Sequence, residues 1–187
     1  MKMPTGILKR YRNSRGFGVH SPFGFEFTRR VIRIGADYTF YAEKDIKQAG
    51  TSLNIPAGEI NHAIKLHRLA AMLETASIIY GQGMTDLKRI ALKRAGCTLF
   101  PFSDIALSET NKGSAILIGN DHEFEDKIIE RFLNHNGNAV VLYSSYPFKT
   151  ASDLLSKTKS GIVFEGFHCA LAVSRCQTQP NLYKVSF

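Results

Sequence analysis

The sequence predicts a doubly wound α/β domain behind a helical N-terminal extension, and three observations carry that prediction. Between residues 76 and 143 the pattern alternates strand and helix, and the strands are continuous apolar runs: "ASIIY", "CTLFPF", "AILI" and "AVVLY". Runs of this kind belong to a mostly parallel sheet covered on both faces. After residue 160 three strand-like stretches follow one another with no helix between them, which predicts an antiparallel edge at the C-terminal side. Before residue 76 the apolar residues recur at helical spacing instead.

Taken in order, the first 18 residues form a basic, glycine-containing arm. Ser21 is a good N-cap and Pro22 suits a first helical position, so a helix is predicted over 22–34, with Phe23, Phe27, Val31 and Ile34 on one side and Gly35 at its end. A short helix over 38–49 and a loop over 50–58 containing Pro56 come next. The spacing of Ile60, Ala63, Ile64, His67, Ala70 and Ala71 predicts an amphipathic helix over 59–74, with His67 as a hydrogen-bonded core histidine. Strands over 76–80, 97–102, 115–118 and 139–143 alternate with helices over 85–95, 122–134 and 151–157. Strands over 162–167, 170–175 and 182–187 close the chain, the last two joined by a turn containing Pro180.

The 187 residues are 44% hydrophobic and 21% charged, a composition that suits a globular domain with a core of ordinary size. No uncharged apolar run reaches the roughly 18 residues of a membrane span, and Lys2, Lys9 and Arg10 are not followed by the apolar stretch of a secretory leader. A cytoplasmic protein is the resulting expectation. Cys97, Cys169 and Cys176 lack metal-site spacing and fall in apolar segments, so buried reduced thiols and no metal are expected. Charge is distributed unevenly: Lys2, Lys9, Arg10, Arg12, Arg15, Arg29, Arg30 and Arg33 face a single acid, Glu26, within the first 35 residues of a chain whose net charge is +8. A basic arm on a near-neutral body suits phosphates.

In open α/β sheets ligands sit at the carboxyl ends of strands, where the strand order reverses. There the sequence offers "IIYGQGMTD", whose Gly81 and Gly83 allow a ligand close to the backbone at a helix start. Ser144 or Ser145 with His122 or His168 would make a hydrolase pair, but no Gly-x-Ser-x-Gly elbow accompanies them. The acids around His122, from Asp121 to Asp126, suit the positive end of a helix dipole.

Together, "HSPFGFEF" ahead of the helices, the turn "YGQG", the segment "AILIGNDHEF" and the closing "GIVFEGFHCALAVSRCQTQPNLYKVSF" resemble a group of Bacteroidetes class I S-adenosylmethionine-dependent methyltransferases, most sharply over 18–23. The resemblance implies a Rossmann-like methyltransferase-type domain over 76–187, with antiparallel C-terminal edge strands, and an extension over 1–75. It implies S-adenosylmethionine as cofactor and an unknown methyl acceptor. Gly81 and Gly83 would take the methionine end and Asp104 the ribose, Gly119 would also line the cofactor site, and of its remaining residues Asp121 or His122 would lie beside the acceptor.

Five departures from that family's pattern are readable. Ile79 and Tyr80 stand where an acid normally ends the first strand, and "TLFPF" replaces the acid that ends the second. The acid of the later segment is displaced in "IGNDHE", and Ser144 and Ser145 replace a pair of acids. Twelve residues between Phe102 and Ala115 leave no room for a further helix and strand. These departures imply a second reading, a catalytically inactive module for binding or assembly, in which Phe17, Phe23, Phe25 and Phe27 fix the arm to the body or to a second copy in a homodimer. A third reading is nucleic-acid binding by the arm. Its contacts, to partner or phosphate, would be Arg10, Arg12, Arg15, His20, Phe23, Arg29 and Arg30, with Arg33 beside them.

Overall fold

A computed structural model of the chain describes residues 22–33, 39–81, 84–102, 114–119, 139–143, 161–165, 170–174 and 181–184. Helix α1 (Pro22–Phe27) continues directly as a π-helical turn, Thr28–Arg33, where the sequence predicts a single α-helix. At the junction the Thr28 hydroxyl donates to the Gly24 carbonyl at 2.9 Å, a back-bond of the kind that loosens a helix. The wider turn sets Phe27, Thr28, Val31 and Ile32 together on the buried side.

Helix α2 (Phe40–Ser52) and helix α3 (Ala57–Met72) are joined by only four residues. Gly50, read from sequence as the start of a loop, is instead a helical residue packed tightly against the neighbours of α2. A Cβ there would lie 2.6 Å from Ile60 and 3.2 Å from Leu87, so the helix passes through the glycine and stops later. It stops at Asn54, whose φ of 53° lets Asn54 N–H reach Thr51 and Ile55 N–H reach the Gly50 carbonyl.

The rest of the described chain is β1 (Thr75–Tyr80), helix α4 (Asp86–Arg94), β2 (Thr98–Pro101), β3 (Ser114–Gly119), β4 (Ala139–Tyr143), β5 (Gly161–Glu165), β6 (Ala170–Ser174) and β7 (Asn181–Lys184). Thr85 caps α4 by accepting from Lys88 N–H, and Gly96 at φ 81° ends it. The helices expected over 122–134 and 151–157 lie outside the described residues. The strands form one seven-stranded mixed sheet in the order β2-β1-β3-β4-β6-β5-β7.

The edge on the C-terminal side is not the antiparallel one that the sequence predicts. The reversed strand is β6, and it lies inside the sheet, antiparallel to both β4 and β5, while the edge strand β7 runs parallel to β5. The reason is connection length. Four residues join β5 to β6, short enough for antiparallel neighbours, whereas β6 and β7 are six residues apart in sequence and lie on either side of β5. Ser174 and Asn181 both sit at the Gly161–Ile162 end of β5, so they lie about two strand spacings apart, roughly 10 Å.

One face of the sheet presents Ile78, Ile116, Ile118, Ile162, Phe164 and Leu171 to a core that also takes Phe27, Val31, Leu66, Leu69 and Leu92 from the helices. By strand alternation Ile79, Leu117, Val163 and Ala172 face the other way, and they are just as fully buried. Both faces are therefore covered, which is why these strands read as unbroken apolar runs. Helices before residue 75 and strands after it share this core. Phe27 anchors α1 by stacking on Phe164 with ring centroids 4.2 Å apart, and Tyr183 of β7 borders Phe164 at 6.0 Å.

A polar tie holds the helical layer. Arg68 on α3 grips the Glu43 carboxylate of α2 with Nε and Nη2, each at 2.7 Å, and its Nη1 donates to the Val31 carbonyl in the π-helical turn at 3.3 Å. The Thr39 hydroxyl adds a 2.7 Å bond to Glu43. Burial alone would raise the Glu43 pKa. The Arg68 and Thr39 hydrogen bonds and the charges of Arg68 and Lys47 outweigh it and hold the carboxyl below its ordinary value.

Phe27→Ala is expected to cost about 3–5 kcal/mol in urea unfolding, while Phe25→Ala, half exposed on the same helix, stays within about 0.5 kcal/mol of the parent. Arg68→Ala strands a buried carboxylate and is expected to cost about 3–5 kcal/mol. A lowered folded pKa means that the Glu43 contribution is complete above the unfolded value and is lost as pH falls through the folded one. Accordingly, between about pH 6 and pH 3 the parent loses more stability than a Glu43→Gln variant does.

Candidate functional site

Strand β1 is the pivot of the sheet. The chain leaves it through α4 to β2 on one side, and the next strand, β3, pairs on its other side. The order therefore reverses between β1 and β3, and in open α/β sheets the crevice beyond the carboxyl ends at such a point is where ligands are received.

Two of the glycines singled out from sequence meet there. Tyr80 pairs with Ile118, so Gly81 and Gly119 follow side by side at the ends of β1 and β3. Gly81 N–H donates to the Ile118 carbonyl at 2.9 Å, which extends the ladder by one bond and fixes the glycine at the crevice. Across the same end lie Pro101 of β2, in register with Tyr80, and Tyr143 of β4, in register with Gly119. No carboxylate ends β1 or β2 among the described residues, in keeping with the sequence departures at Tyr80 and "TLFPF".

What stands near the end of β1 is a cation and a phenol. Arg89, in the first turn of α4, donates Nη1–H to the Tyr80 hydroxyl at 2.7 Å, and its guanidinium carbon lies 4.5 Å from the ring centroid. Both side chains are half-buried, and Arg89 has no carboxylate partner among the described residues. Sequence reasoning missed Arg89. The available signal was a basic residue in the opening turn of a helix, where the dipole favours an acid.

The other candidate residues fall elsewhere. Gly83, Asp104, Asp121 and His122 lie outside the described residues, as do Arg10, Arg12, Arg15 and His20. Phe23 packs half-buried against the main core. Arg29 and Arg30 share the Glu26 carboxylate at 3.0 and 2.6 Å. Their helix meets the sheet at β5, four places from β1.

His67 is the core histidine expected: it is buried, and its Nδ1 lies 2.9 Å from the Ala91 carbonyl, which requires the proton on Nδ1. Cys97 is a buried free thiol whose Sγ–H donates to Thr75 O at 3.2 Å, at the end of β1 away from the crevice. Cys169 and Cys176 lie outside the described residues. Among the described residues no group of three or more His, Cys, Asp or Glu could hold a metal ion, and no helix is long and apolar enough to cross a membrane.

Burial pushes the Cys97 thiol up to about 11, so it stays protonated at neutral pH. In a maleimide time course followed by peptide mass spectrometry, Cys97 is expected to remain unlabelled in the folded protein and to react on unfolding in denaturant. Compared with family models, with curated proteins and with solved structures, the chain matches none of them.

Proposed function

We propose that the chain is a divergent S-adenosylmethionine-dependent methyltransferase-like protein, its mixed sheet being a Rossmann-like methyltransferase-type sheet that receives the cofactor at the carboxyl ends of β1 and β3. The observation that carries this reading is the meeting of Gly81 and Gly119 at the switch point, where two adjacent strand ends have no side chain to obstruct a ligand. The motifs shared with that family, from "HSPFGFEF" to the closing segment, add to it.

The described residues suit the methionine end of such a cofactor better than its ribose. Glycine at the strand ends leaves room, and the Arg89 guanidinium beside Tyr80 suits a carboxylate. The carboxylates that the reading requires, Asp104 for the ribose and Asp121 near the acceptor, lie outside the described residues. When bound, the cofactor supplies an activated methyl group. The work left to the chain is positioning: Gly81, Gly83 and Gly119 admit the cofactor, and Asp121 or His122 orients the acceptor, so few acid–base groups are needed.

The strand ends without acids favour a second reading, a methyltransferase-fold module that has lost catalysis and serves binding or assembly. Calorimetric titration separates the two. Micromolar binding of S-adenosylmethionine or S-adenosylhomocysteine, weakened about tenfold or more by Gly81→Val, is the outcome expected of the first. A folded protein that gives no binding heat with either ligand overturns it in favour of the second.

A further inference from the structure

We infer that the outer face of α2, together with the adjoining end of the π-helical turn, binds single-stranded nucleic acid. Two large aromatic side chains open α2 and are left in solvent: Phe40 is 64% exposed and Tyr41 79%. Their rings meet edge to face, with centroids 5.6 Å apart and planes at 81°. Nothing described covers these rings, although the same helix buries Ile46 completely. Exposed rings of this kind are stacking platforms for unpaired bases.

The charges beside the rings complement phosphate. Lys44 and Lys47 are exposed about one helical turn apart on the same side as Phe40. Both acids of α2 hold cations from other helices, Glu43 holding Arg68 and Asp45 holding Arg94 at 3.2 Å, and of the two lysines Lys47 also feels the Glu43 charge. Neither lysine has a carboxylate at ion-pair distance among the described residues. Arg68 binds Glu43 and the Val31 carbonyl at once, so the first turn of α2 lies within one side chain's reach of the end of the π-helical turn, where Arg33 is exposed. One turn earlier Arg29 and Arg30 share the single charge of Glu26 and leave a net positive charge. The five connecting residues contribute one acid, Asp37.

The same features disfavour a lipid surface. Past Tyr41 the outer stripe is Lys44, Lys47, Gln48 and Thr51, so no continuous apolar face exists to enter a bilayer. Rings at one end and cations along the stripe fit a chain of bases and phosphates instead.

Fluorescence anisotropy with a labelled oligouridine of about 20 nucleotides tests this on the full chain. Binding should weaken with salt, with a slope of about −2 in log–log form if three phosphates are neutralised. Phe40→Ala and Tyr41→Ala should each lower affinity about tenfold and leave the salt slope unchanged, whereas Lys44→Gln and Lys47→Gln should each flatten it by about 0.7. All four side chains are exposed, so the variants keep the parent's circular dichroism. The inference is overturned by absence of binding, by binding that ignores all four changes, by loss of binding only when Arg10, Arg12 and Arg15 are changed, or by binding confined to phosphatidylserine vesicles.

Discussion

The helical layer depends on one guanidinium. Arg68 reaches α2 through Glu43 and the end of the π-helical turn through the Val31 carbonyl, so three consecutive segments of backbone converge on a single side chain. A buried ion pair adds little net stability, because desolvation offsets most of the attraction. Its effect is positional. With the carboxylate and the carbonyl both requiring this partner, sliding α2 or rotating the π-helical turn would leave a polar group unsatisfied. The apolar contacts of Ile46, Ile64 and Leu87 then pack in the register that this tie permits.

Much of the architecture is legible in the sequence, because local signals and burial agree there. Unbroken apolar runs mark strands buried on both faces, and the described strands begin and end within a few residues of those runs. Legibility fails where a residue serves tertiary packing instead of its local preference. Gly50 looks like a helix breaker but is the contact point of three helices. Thr28 looks like an ordinary helical residue but stands where the helix passes from α to π, its hydroxyl on the Gly24 carbonyl. The place of β6 was equally hidden, since a run of strands reports that hairpins form without reporting which neighbour each strand takes.

The site is less legible than the fold. Gly81 and Gly119 are 38 positions apart, and only the pairing of β1 with β3 makes them neighbours. The sequence does show what is missing: the acids absent from "SIIY" and "TLFP" are absent from the described ends of β1 and β2. It does not reveal what replaces them. The pairing of Tyr80 with Arg89 depends on a helix folding back across the end of its own strand, a relation that appears only once both elements are placed. Exposure of Phe40 and Tyr41 was hidden for the opposite reason, since aromatic residues at a helix start are ordinarily read as core.

The stack of Phe27 on Phe164 has a consequence for the order of events during synthesis. The first described helix leaves the ribosome well before the ring against which it rests, since Phe27 precedes Phe164 by 137 positions. Strands β1, β2 and β3 are close enough in sequence to pair while translation continues. Helix α1 then has Phe27 and Val31 without their final cover, and closing so long a loop is slow compared with local pairing. Until β5 enters the sheet, the side of α1 that carries Phe27 and Val31 is available to other chains or to chaperones.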